Sequence, residues 1–482
     1  MAIQIYNTFS RKKEKYEPVN PNMTGFYACG PTVYDYFHIG NARMFIVFDV
    51  IRRYLIYRGY NVRYVMNLTD IDDKIIERAN ERGICSKEIS QEYIASFFED
   101  IQKLGVHPAD VYPRATHHID DMIALIEDLV AKGFAYESGG DVFYDVRKFP
   151  NYAKLSGKNL DDLQAGSRVA VDERKKYPLD FVLWKASKAG EPSWPSPWGD
   201  GRPGWHLECS VMSMKYLGES FDFHAGGLDL IFPHHENEIA QSEASTGKPF
   251  VRYWLHNGFL DIRGDKMSKS TGNFFTAREI LEKYPATAIR LFFLQKHYRS
   301  PIDFSDEVLR SAVTSNTRMR LSYQKIAEAA GDFSQVSKNE QGALDERQRT
   351  FFNFLNSTHA ALLSAMDDDF NTPMAVGKVF DLFRETNRFI DDGMGDDLSH
   401  KLVASAKHNL DEYDSFLGII DRCITEVSQE KVDSVIQAIL QLRQDFRKEK
   451  NFAQADKIRD SLADAGLIIE DTPEGVKWRW GS

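Results

Sequence analysis

Two short strings contain residue types that bind phosphate groups. The first, His38-Ile39-Gly40-Asn41, stands in a loop that leads into a predicted helix. A helix N-terminus offers free backbone N–H groups and a positive dipole end, Gly40 permits close approach of a phosphate, and an imidazole can donate to a phosphate oxygen. Taken alone, the string is more often an ordinary strand-to-helix turn.

The second string is Lys266-Met267-Ser268-Lys269-Ser270, in a stretch rich in glycine and serine. Two lysines three positions apart make a cationic clamp for charge that develops on a polyphosphate as it is split. A solvated surface loop is the alternative when the string is considered alone. The Gly-rich dinucleotide and P-loop signatures are missing, so phosphates must be held in some other way. The two strings are much more informative together, in a chain that also has a β-α-β unit, than either is alone.

A third group of residues has metal-binding chemistry: Cys29, Cys209, His234 and Glu238. If a helix begins near His234, its side chain and that of Glu238 lie on one face and can supply one nitrogen and one oxygen to the same ion. Two thiolates would complete a tetrahedral zinc set. There is no closely spaced cysteine pair, so two buried structural thiols are an equally open interpretation.

The elements that must position these residues follow a β-α-β order. Residues 25–29 read as a buried strand, 41–58 as a helix with apolar residues three and four apart, and 61–67 as a second strand. This order predicts a right-handed parallel crossover. Ligands of such sheets bind at the carboxyl ends of the strands, where residues 29–40 and 67–73 fall.

The rest of the chain changes character twice. Residues 113–204 contain one helical pattern and several short strands and turns, as an insertion would, and strands resume at 221–224 and 251–255. From about residue 276 helical patterns dominate, including 360–366, 375–390, 400–417 and 432–448. The predicted fold class is α/β, with a Rossmann-like parallel sheet split by an insertion and followed by an α-helical bundle and a small C-terminal domain.

Composition limits the class of protein. The 482 residues carry a net charge of −11 with 43% hydrophobic and 27% charged residues, which suits a folded globular chain. Neither a secretory signal nor an apolar run of about 20 residues is visible, so we expect a cytoplasmic protein with no membrane association. Four cysteines in so long a chain do not form a disulfide scaffold, and Cys85 and Cys423 receive no role.

Together, the two phosphate-binding strings resemble the signature motifs of class I aminoacyl-tRNA synthetases. Longer strings are similar to the cysteinyl-tRNA synthetase family, and they occur in order along almost the whole chain. They are Cys29-Gly30-Pro31-Thr32-Val33-Tyr34-Asp35, Thr69-Asp70-Ile71-Asp72-Asp73-Lys74, residues 190–194 with 201–206, Phe232-Pro233-His234-His235-Glu236-Asn237-Glu238, and Asp367-Asp368-Asp369-Phe370-Asn371-Thr372-Pro373.

The resemblance implies a domain order. It places the two halves of the catalytic domain at 1–112 and 205–275, the connective insertion at 113–204, and a region that contacts the tRNA stem at 276–320. A helical bundle at 321–425 and an anticodon-binding, RNA-binding domain at 426–482 follow. The implied partners are tRNA(Cys), ATP and L-cysteine, and the implied state is a monomer.

The resemblance also implies the chemistry. Cysteine would be joined to tRNA through a cysteinyl-adenylate, with Mg²⁺ on the ATP phosphates. His38, Gly40, Asn41, Lys266 and Lys269 would bind ATP, and all but Gly40 would act in catalysis. Asn41 stands where many class I enzymes have a second histidine, and an amide can donate a hydrogen bond but carries no charge.

Zinc recognition of the substrate thiolate is the implied basis of selectivity. Cys29, Cys209, His234 and Glu238 would hold one Zn²⁺, which separates cysteine from serine by the softness of sulfur, so that no editing site is needed. The family also implies that four residues surround the amino acid: Thr69, Trp205, His224 and Asp229. Read without the family, Trp205 and His224 are ordinary core or strand residues.

Two other functions compete with this interpretation. One is a related ligase that transfers activated cysteine to a small amine, although residues 320–482 favour the tRNA enzyme. The other is a zinc-dependent RNA-binding protein without catalysis, which would not need Lys266 and Lys269. Residues 431–482 have a net charge of zero, and two features there suit RNA: the cluster Arg443, Arg447, Lys448 and Lys450, and the string Lys477-Trp478-Arg479-Trp480. A solvated helix explains the first cluster equally well.

Overall fold

The computed structural model of the chain describes residues 2–158, 172–262, 265–266, 275–422, 429–472 and 475–480. Contacts within the chain divide it into two units, Met1–Asp421 and Arg422–Ser482. The last boundary predicted from the sequence, between residues 425 and 426, lies close to this division. Cys423 lies outside the described residues, and Cys85 is exposed.

Within the described residues, the strands form five small sheets. They are β1 (Gln4–Asn7), β2 (Lys12–Lys15), β3 (Thr24–Ala28), β4 (Val62–Met66), β5 (Ala135–Ser138), β6 (Asp141–Tyr144), β7 (Phe181–Ala186), β8 (Gly201–Pro203), β9 (Phe221–Gly227), β10 (Val251–Asn257), β11 (Leu260–Ile262), β12 (Asp265–Lys266), β13 (Ile302–Asp303), β14 (Leu467–Thr472) and β15 (Gly475–Trp480).

The helices are concentrated in the C-terminal half. They are α1 (Ile39–Tyr57), α2 (Asp73–Arg82), α3 (Ser86–Lys103), α4 (Ile119–Ala131), α5 (Trp205–Leu217), α6 (Glu236–Thr246), α7 (Ala277–Leu281), α8 (Ala286–Leu294), α9 (Asp306–Ala330), α10 (Glu346–Asp367), α11 (Thr372–Asp391), α12 (Asp397–Leu417), α13 (Gln429–Lys448) and α14 (Phe452–Asp464). No helix in the described part of the chain is long and apolar enough to cross a membrane.

A four-stranded parallel sheet in the order β10-β9-β3-β4 forms the centre of the first unit. The predicted β-α-β unit is confirmed as β3, α1 and β4. Alternate side chains of β3 enter two different cores: Phe26 and Ala28 join the core shared with α1, and Tyr27 joins the core shared with the insertion. Cys29 continues this alternation onto the insertion side, directly after the strand ends.

The predicted insertion contains α4 and an antiparallel sheet in the order β5-β6-β7-β8. It separates β4 from β9 in sequence, as expected from the break in pattern. The helical patterns beyond residue 276 are also confirmed, but the pattern at 360–366 is the end of a longer helix. That helix begins at Glu346, where Asp345 and Gln348 form a capping box.

In the second unit, α13 and α14 lie with the β14-β15 hairpin around a core of Ile436, Leu440 and Leu467. Arg443 is buried, so it does not belong to the exposed basic cluster predicted near the end of this helix. Trp478 packs against the same core, whereas Arg479, next in the strand, is exposed. The alternation of the strand therefore assigns Trp478 to packing and leaves Arg479 on the surface.

Candidate functional site

A cavity of about 320 Å³ lies at the carboxyl edge of the parallel sheet. The segments that follow the strands line it: Gly30–Thr32 after β3, Asn67 after β4, Gly227–Leu230 at the end of β9, and Asn257–Leu260 at the end of β10. This is the place where open α/β sheets bind ligands. Of the residues predicted to form the site, it is lined by Cys29, His38, Gly40, Asn41, Trp205, Cys209, Asp229 and His234.

The first turn of α1 faces the cavity. His38 is the N-cap, and its Nδ1 accepts a hydrogen bond from the backbone N–H of Asn41 at 3.1 Å. Because Nδ1 is an acceptor, the neutral imidazole carries its proton on Nε2, which can donate to a phosphate oxygen. Gly40 and Asn41 are half-buried beside it. The helix end that the sequence predicted as a phosphate site therefore lines the cavity.

The segment with the second predicted phosphate motif begins next to this cavity. The backbone of Lys266 pairs with Asp261 of β11, which continues directly from the cavity-lining residues Asn257–Leu260. Lys269 and the rest of the motif lie outside the described residues. After the motif, the described chain resumes at Phe275, whose carbonyl accepts a hydrogen bond from the backbone N–H of Ile39 at 3.0 Å.

The four predicted metal ligands meet at the base of the cavity. Cys29, Cys209, His234 and Glu238 are all buried, and each offers one ligand atom within 4.8 Å of the others. The two sulfur atoms are 3.9 Å apart, and His234 Nε2 lies 3.1 Å from Glu238 Oε1. The last two residues share a helix face, as the sequence spacing predicted.

Burial disfavours charge throughout this cluster. It raises the pKa of the Cys29 thiol and of the Glu238 carboxyl well above their usual ranges, and it lowers the pKa of His234 well below its usual range. A neutral imidazole is the form that binds metal, whereas thiolates and a carboxylate in such a place need a cation to offset their charge.

The donor set fits zinc. Two sulfur atoms, one nitrogen and one oxygen match the ligands and the coordination number that zinc prefers. Glu238 Oε1 is a buried oxygen without a hydrogen-bond partner among the described residues, although His234 Nε2 is close to it. Two ligand atoms that approach each other without a hydrogen bond are arranged as they would be around a shared ion.

A second, overlapping set replaces Cys209 and His234 with His224 and His235. We favour the first set because Cys29, Cys209 and His234 line the cavity, which puts them within reach of a ligand that enters it. His235 instead joins a buried chain: its Nε2 lies 3.3 Å from Cys29 Sγ and its Nδ1 lies 2.8 Å from His256 Nε2.

Two histidines, the buried His224 and the half-buried His206, contact the ligands of the first set. His224 Nε2 lies 2.7 Å from Glu238 Oε2, and His206 Nδ1 lies 2.9 Å from His234 Nδ1. Burial lowers the pKa of His224 to about 3 and that of His206 to about 4. Both are therefore neutral at physiological pH, and each can fix the orientation of the group it touches.

The four residues predicted around the amino acid fall into two pairs. Trp205 and Asp229 line the cavity, and the indole of Trp205, 40% exposed, stacks on His234 with ring centroids 4.1 Å apart. Thr69 and His224 are buried behind the described cavity wall. Thr69 Oγ1 donates to Glu208 Oε2 at 2.7 Å, and His224 contacts Glu238. Thr69 and His224 therefore touch buried carboxyl groups rather than the cavity.

Several lining residues received no role from the sequence, and two of them, Asn67 and Lys74, are polar groups that shape the site. Asn67 Oδ1 accepts the backbone N–H of Gly30 at 2.8 Å, and a Cβ at Gly30 would lie 1.7 Å from the Asn67 carbonyl, so only glycine fits there. Lys74 is the one Lys or Arg among the described lining residues. Lys74 lies in the first turn of α2, where a positive charge is unfavourable because the helix dipole is positive there. A lysine at such a position is a sequence signal for a functional role.

Comparison with known proteins identifies relatives over the whole chain. Residues 15–314 match the family model described as tRNA synthetases class I (C) catalytic domain. Residues 362–421 match a DALR domain, and residues 430–479 match the Cysteinyl-tRNA ligase anticodon binding domain.

Individual proteins give the same result. The chain is 50% identical to Cysteine–tRNA ligase of Symbiobacterium thermophilum and 48% identical to that of Heliobacterium modesticaldum; each alignment covers 99% of this chain and 100% of the relative. Among solved structures, methionyl-tRNA synthetase of Mycobacterium tuberculosis with methionyl-adenylate superposes with a TM-score of 0.59 at 15% identity, covering 85% of this chain and 94% of that one. This last likeness concerns the fold.

Proposed function

The chain belongs to the cysteine–tRNA ligase family of class I tRNA synthetases, and we propose that it attaches L-cysteine to tRNA(Cys) through a cysteinyl-adenylate. One observation carries the proposal: a single cavity is lined both by the first turn of α1 and by three of the four metal donors. A nucleotide and a thiol can therefore be bound side by side.

The reaction has two steps. The carboxylate of cysteine attacks the α-phosphorus of ATP in line, forming a carboxyl–phosphate bond while the bond to the β-phosphate oxygen breaks and pyrophosphate departs with Mg²⁺. A hydroxyl of the terminal tRNA adenosine, the 2′ hydroxyl by class analogy, then attacks the carbonyl carbon, and AMP leaves. Neither step forms a covalent bond to the protein, so positioning and electrostatics supply the acceleration.

At the nucleotide end, the first turn of α1 binds phosphate oxygens. His38 Nε2–H and the Asn41 amide donate to them, and Gly40 lets them approach the helix end. Lys266 and Lys269 stabilise the charge on the departing pyrophosphate. The pairing of the Lys266 backbone with Asp261, beside the cavity wall, supports this assignment.

At the amino-acid end, Cys29, Cys209, His234 and Glu238 would hold Zn²⁺. When bound, zinc supplies a soft Lewis acid that prefers a thiolate over a hydroxyl. Serine is close to cysteine in shape, so this preference distinguishes the two where a cavity wall alone would not. Selection at the binding stage makes an editing site unnecessary.

Protein groups then orient the amino acid. Asp229 lies on the cavity wall, where its carboxylate can accept hydrogen bonds from the substrate ammonium group, and the exposed indole of Trp205 bounds the space above His234. Thr69 and His224 act indirectly, by holding Glu208 and Glu238.

The small-amine ligase is the less favoured alternative. Such an enzyme does not need an anticodon-binding region, and residues 430–479 resemble one. Alignment with tRNA ligases over 99% of the chain supports tRNA as the acceptor.

The test is attachment of labelled cysteine to unfractionated tRNA by purified protein with ATP, Mg²⁺ and zinc, with labelled serine as the control. We expect charging with cysteine and none with serine. Charging with both amino acids would contradict the zinc-based selectivity. Cysteine-dependent exchange of pyrophosphate into ATP without any charging of tRNA would instead support transfer to a small amine.

A further inference from the structure

We propose that Arg43 is a positioning residue that fixes one wall of the cavity, Asn257–Leu260, to the helix that carries His38 and Asn41, and thereby sets the affinity for ATP. The inference rests on the proposed function, because its readout is the binding of the nucleotide. It concerns a residue outside both signature motifs, on the buried side of α1.

Arg43 is completely buried, and its guanidinium donates five hydrogen bonds to backbone carbonyls. Nη1 bonds the carbonyls of Gly258 and Phe259 at 2.7 and 2.9 Å. Nη2 bonds that of Ser300 at 2.6 Å and those of His297 and Tyr298 at 3.3 Å each. Burial lowers the pKa of Arg43 to about 10, which leaves the side chain charged at neutral pH. A forked, permanently charged donor is the side chain that can span two segments in this way.

The two segments that Arg43 bonds also pair with each other. The N–H of Gly258 donates to the carbonyl of Tyr298 at 2.7 Å, and β11 pairs in parallel with β13, Leu260 opposite Ile302. A Cβ at Gly258 would lie 2.4 Å from the Ser300 carbonyl oxygen, so the close approach requires glycine. The wall thus consists of residues 257–260 backed by residues 297–302, and the Arg43 guanidinium forms hydrogen bonds to both segments.

Arg43 connects this wall to the phosphate-binding turn. It lies on α1 only two residues after Asn41, and the cavity that this turn lines is also lined by Asn257, Gly258, Phe259 and Leu260. Since α1 is rigid, the guanidinium fixes the separation between the two surfaces that would contact ATP. Such fixed spacing matters for catalysis because misplacement by about 1 Å can cost about 100-fold in rate.

A role in folding alone is the competing explanation, and a matched variant separates the two. Arg290 is also a buried arginine, and it donates to the carbonyls of Leu417 and Gly105 and to Asp49. Its bond to Asp49 reaches α1 further along the helix, and none of its bonds involves a described cavity-lining residue. A lysine at either position keeps the charge but cannot make the forked set of hydrogen bonds.

The experiment measures cysteine-dependent ATP–pyrophosphate exchange and the thermal midpoint for the wild-type chain, Arg43→Lys and Arg290→Lys. For Arg43→Lys we expect KM for ATP to rise about tenfold or more, with KM for cysteine unchanged within about twofold. For Arg290→Lys we expect a lower thermal midpoint with both KM values unchanged. Unaltered KM for ATP in folded Arg43→Lys, or equal rises in both variants, would overturn the inference.

If Arg43→Lys does not fold, Gly258→Ala tests the same wall from the other side. Its added methyl group pushes against the Ser300 carbonyl, and we expect the same selective rise in KM for ATP. A normal KM for ATP in that variant would also overturn the inference. Failure of the wild-type chain to catalyse the exchange would contradict the proposed function instead, so the two failures are distinct.

Discussion

His224 and Glu238 form a hydrogen bond that is closed off from solvent: Nε2 lies 2.7 Å from Oε2, and both side chains are fully buried. The bond occupies one oxygen of the carboxylate and turns the other toward His234. His224 therefore determines which oxygen is presented to the donor cluster. A residue that does not line the cavity can in this way hold one of the four candidate metal donors in place.

Replacing His224 by phenylalanine should weaken zinc binding. The ring keeps most of the volume, but Glu238 Oε2 loses its hydrogen-bond partner, and loss of such a partner costs about 10- to 100-fold in metal affinity. Competition with a chromogenic chelator measures the affinity directly. The matched control is His118→Phe, a buried histidine that contacts Arg114 and Tyr216 instead of the cluster. Equal zinc affinity in the wild type and His224→Phe would show that Glu238 needs no such support.

Replacing Cys209 by serine should remove both zinc and cysteine recognition. A hydroxyl is a hard, poorly ionised ligand, so we expect zinc content near zero and weak cysteine binding, while ATP still binds at the α1 end of the cavity. Metal analysis and calorimetric titration with each substrate measure this. Cys85→Ser, at an exposed cysteine, is the control and should retain zinc. Normal cysteine affinity in Cys209→Ser would contradict the proposed ligand set.

The sequence was sufficient to identify the elements around the site. Strand ends and helix starts are local patterns, and the carboxyl edge of a parallel sheet brings the segments after Ala28, Met66 and Asn257 together whatever their spacing in the chain. The spacing of His234 and Glu238 predicted a shared face because both lie within about one helical turn.

What the sequence could not supply was the partner of each buried polar group. His206, Asn67 and Arg43 are placed by contacts between distant segments, and no periodic pattern marks them. The same limit explains why the sequence did not show that Arg443 is buried and that Trp478 packs against the core of the second unit. A cation on a helix and an aromatic residue on a hairpin look exposed until the element that covers them is known.

Asp369 should contribute strongly to stability. Its fully buried carboxylate accepts hydrogen bonds from the N–H of Tyr6, the hydroxyl of Tyr298 and the guanidinium of Arg299. We expect Asp369→Asn to reduce the free energy of unfolding by about 3 kcal/mol, because Arg299 loses its charged partner. Asparagine tolerates the positive φ of 61° at this position, so the loss reports charge and not backbone strain.

The control for that measurement is Asp368→Asn. Asp368 is 52% exposed and pairs with Lys13, so its loss should cost less than about 1 kcal/mol. Urea unfolding of both variants measures the difference. Similar costs at the two positions would contradict the role assigned to the buried carboxylate.

His297 should make stability depend on pH. Burial lowers its pKa below the ordinary 6.5, and the nearby Asp369 carboxylate offsets only part of this effect. At a pH between the lowered pKa and 6.5, the imidazole is therefore neutral in the folded chain and protonated in the unfolded chain. The stability it contributes is therefore present above about pH 6.5 and is lost as the pH falls toward the lowered pKa. We expect the thermal midpoint of His297→Asn to fall less steeply than that of the wild type between about pH 6.5 and 5. Asparagine preserves an acceptor for the N–H of Arg299. Parallel curves would exclude this contribution.

Arg479 should contact the phosphate groups of the tRNA backbone. It is exposed on β15, while its neighbour Trp478 faces the core of the second unit. Its one ion pair among the described residues is long, 3.9 Å from Nε to Glu470 Oε1, and 66% of the side chain is exposed, so most of the guanidinium can reach a ligand. We expect Arg479→Ala to weaken tRNA binding and to reduce the slope of log affinity against log salt by about one, as the loss of one phosphate contact does. Cysteine-dependent ATP–pyrophosphate exchange, which needs no tRNA, should be unchanged. Arg459→Ala, at an exposed arginine that pairs with Asp456 and Asp460, is the control and should leave the slope unaltered. An unchanged slope in Arg479→Ala would place the phosphate contact elsewhere on this unit.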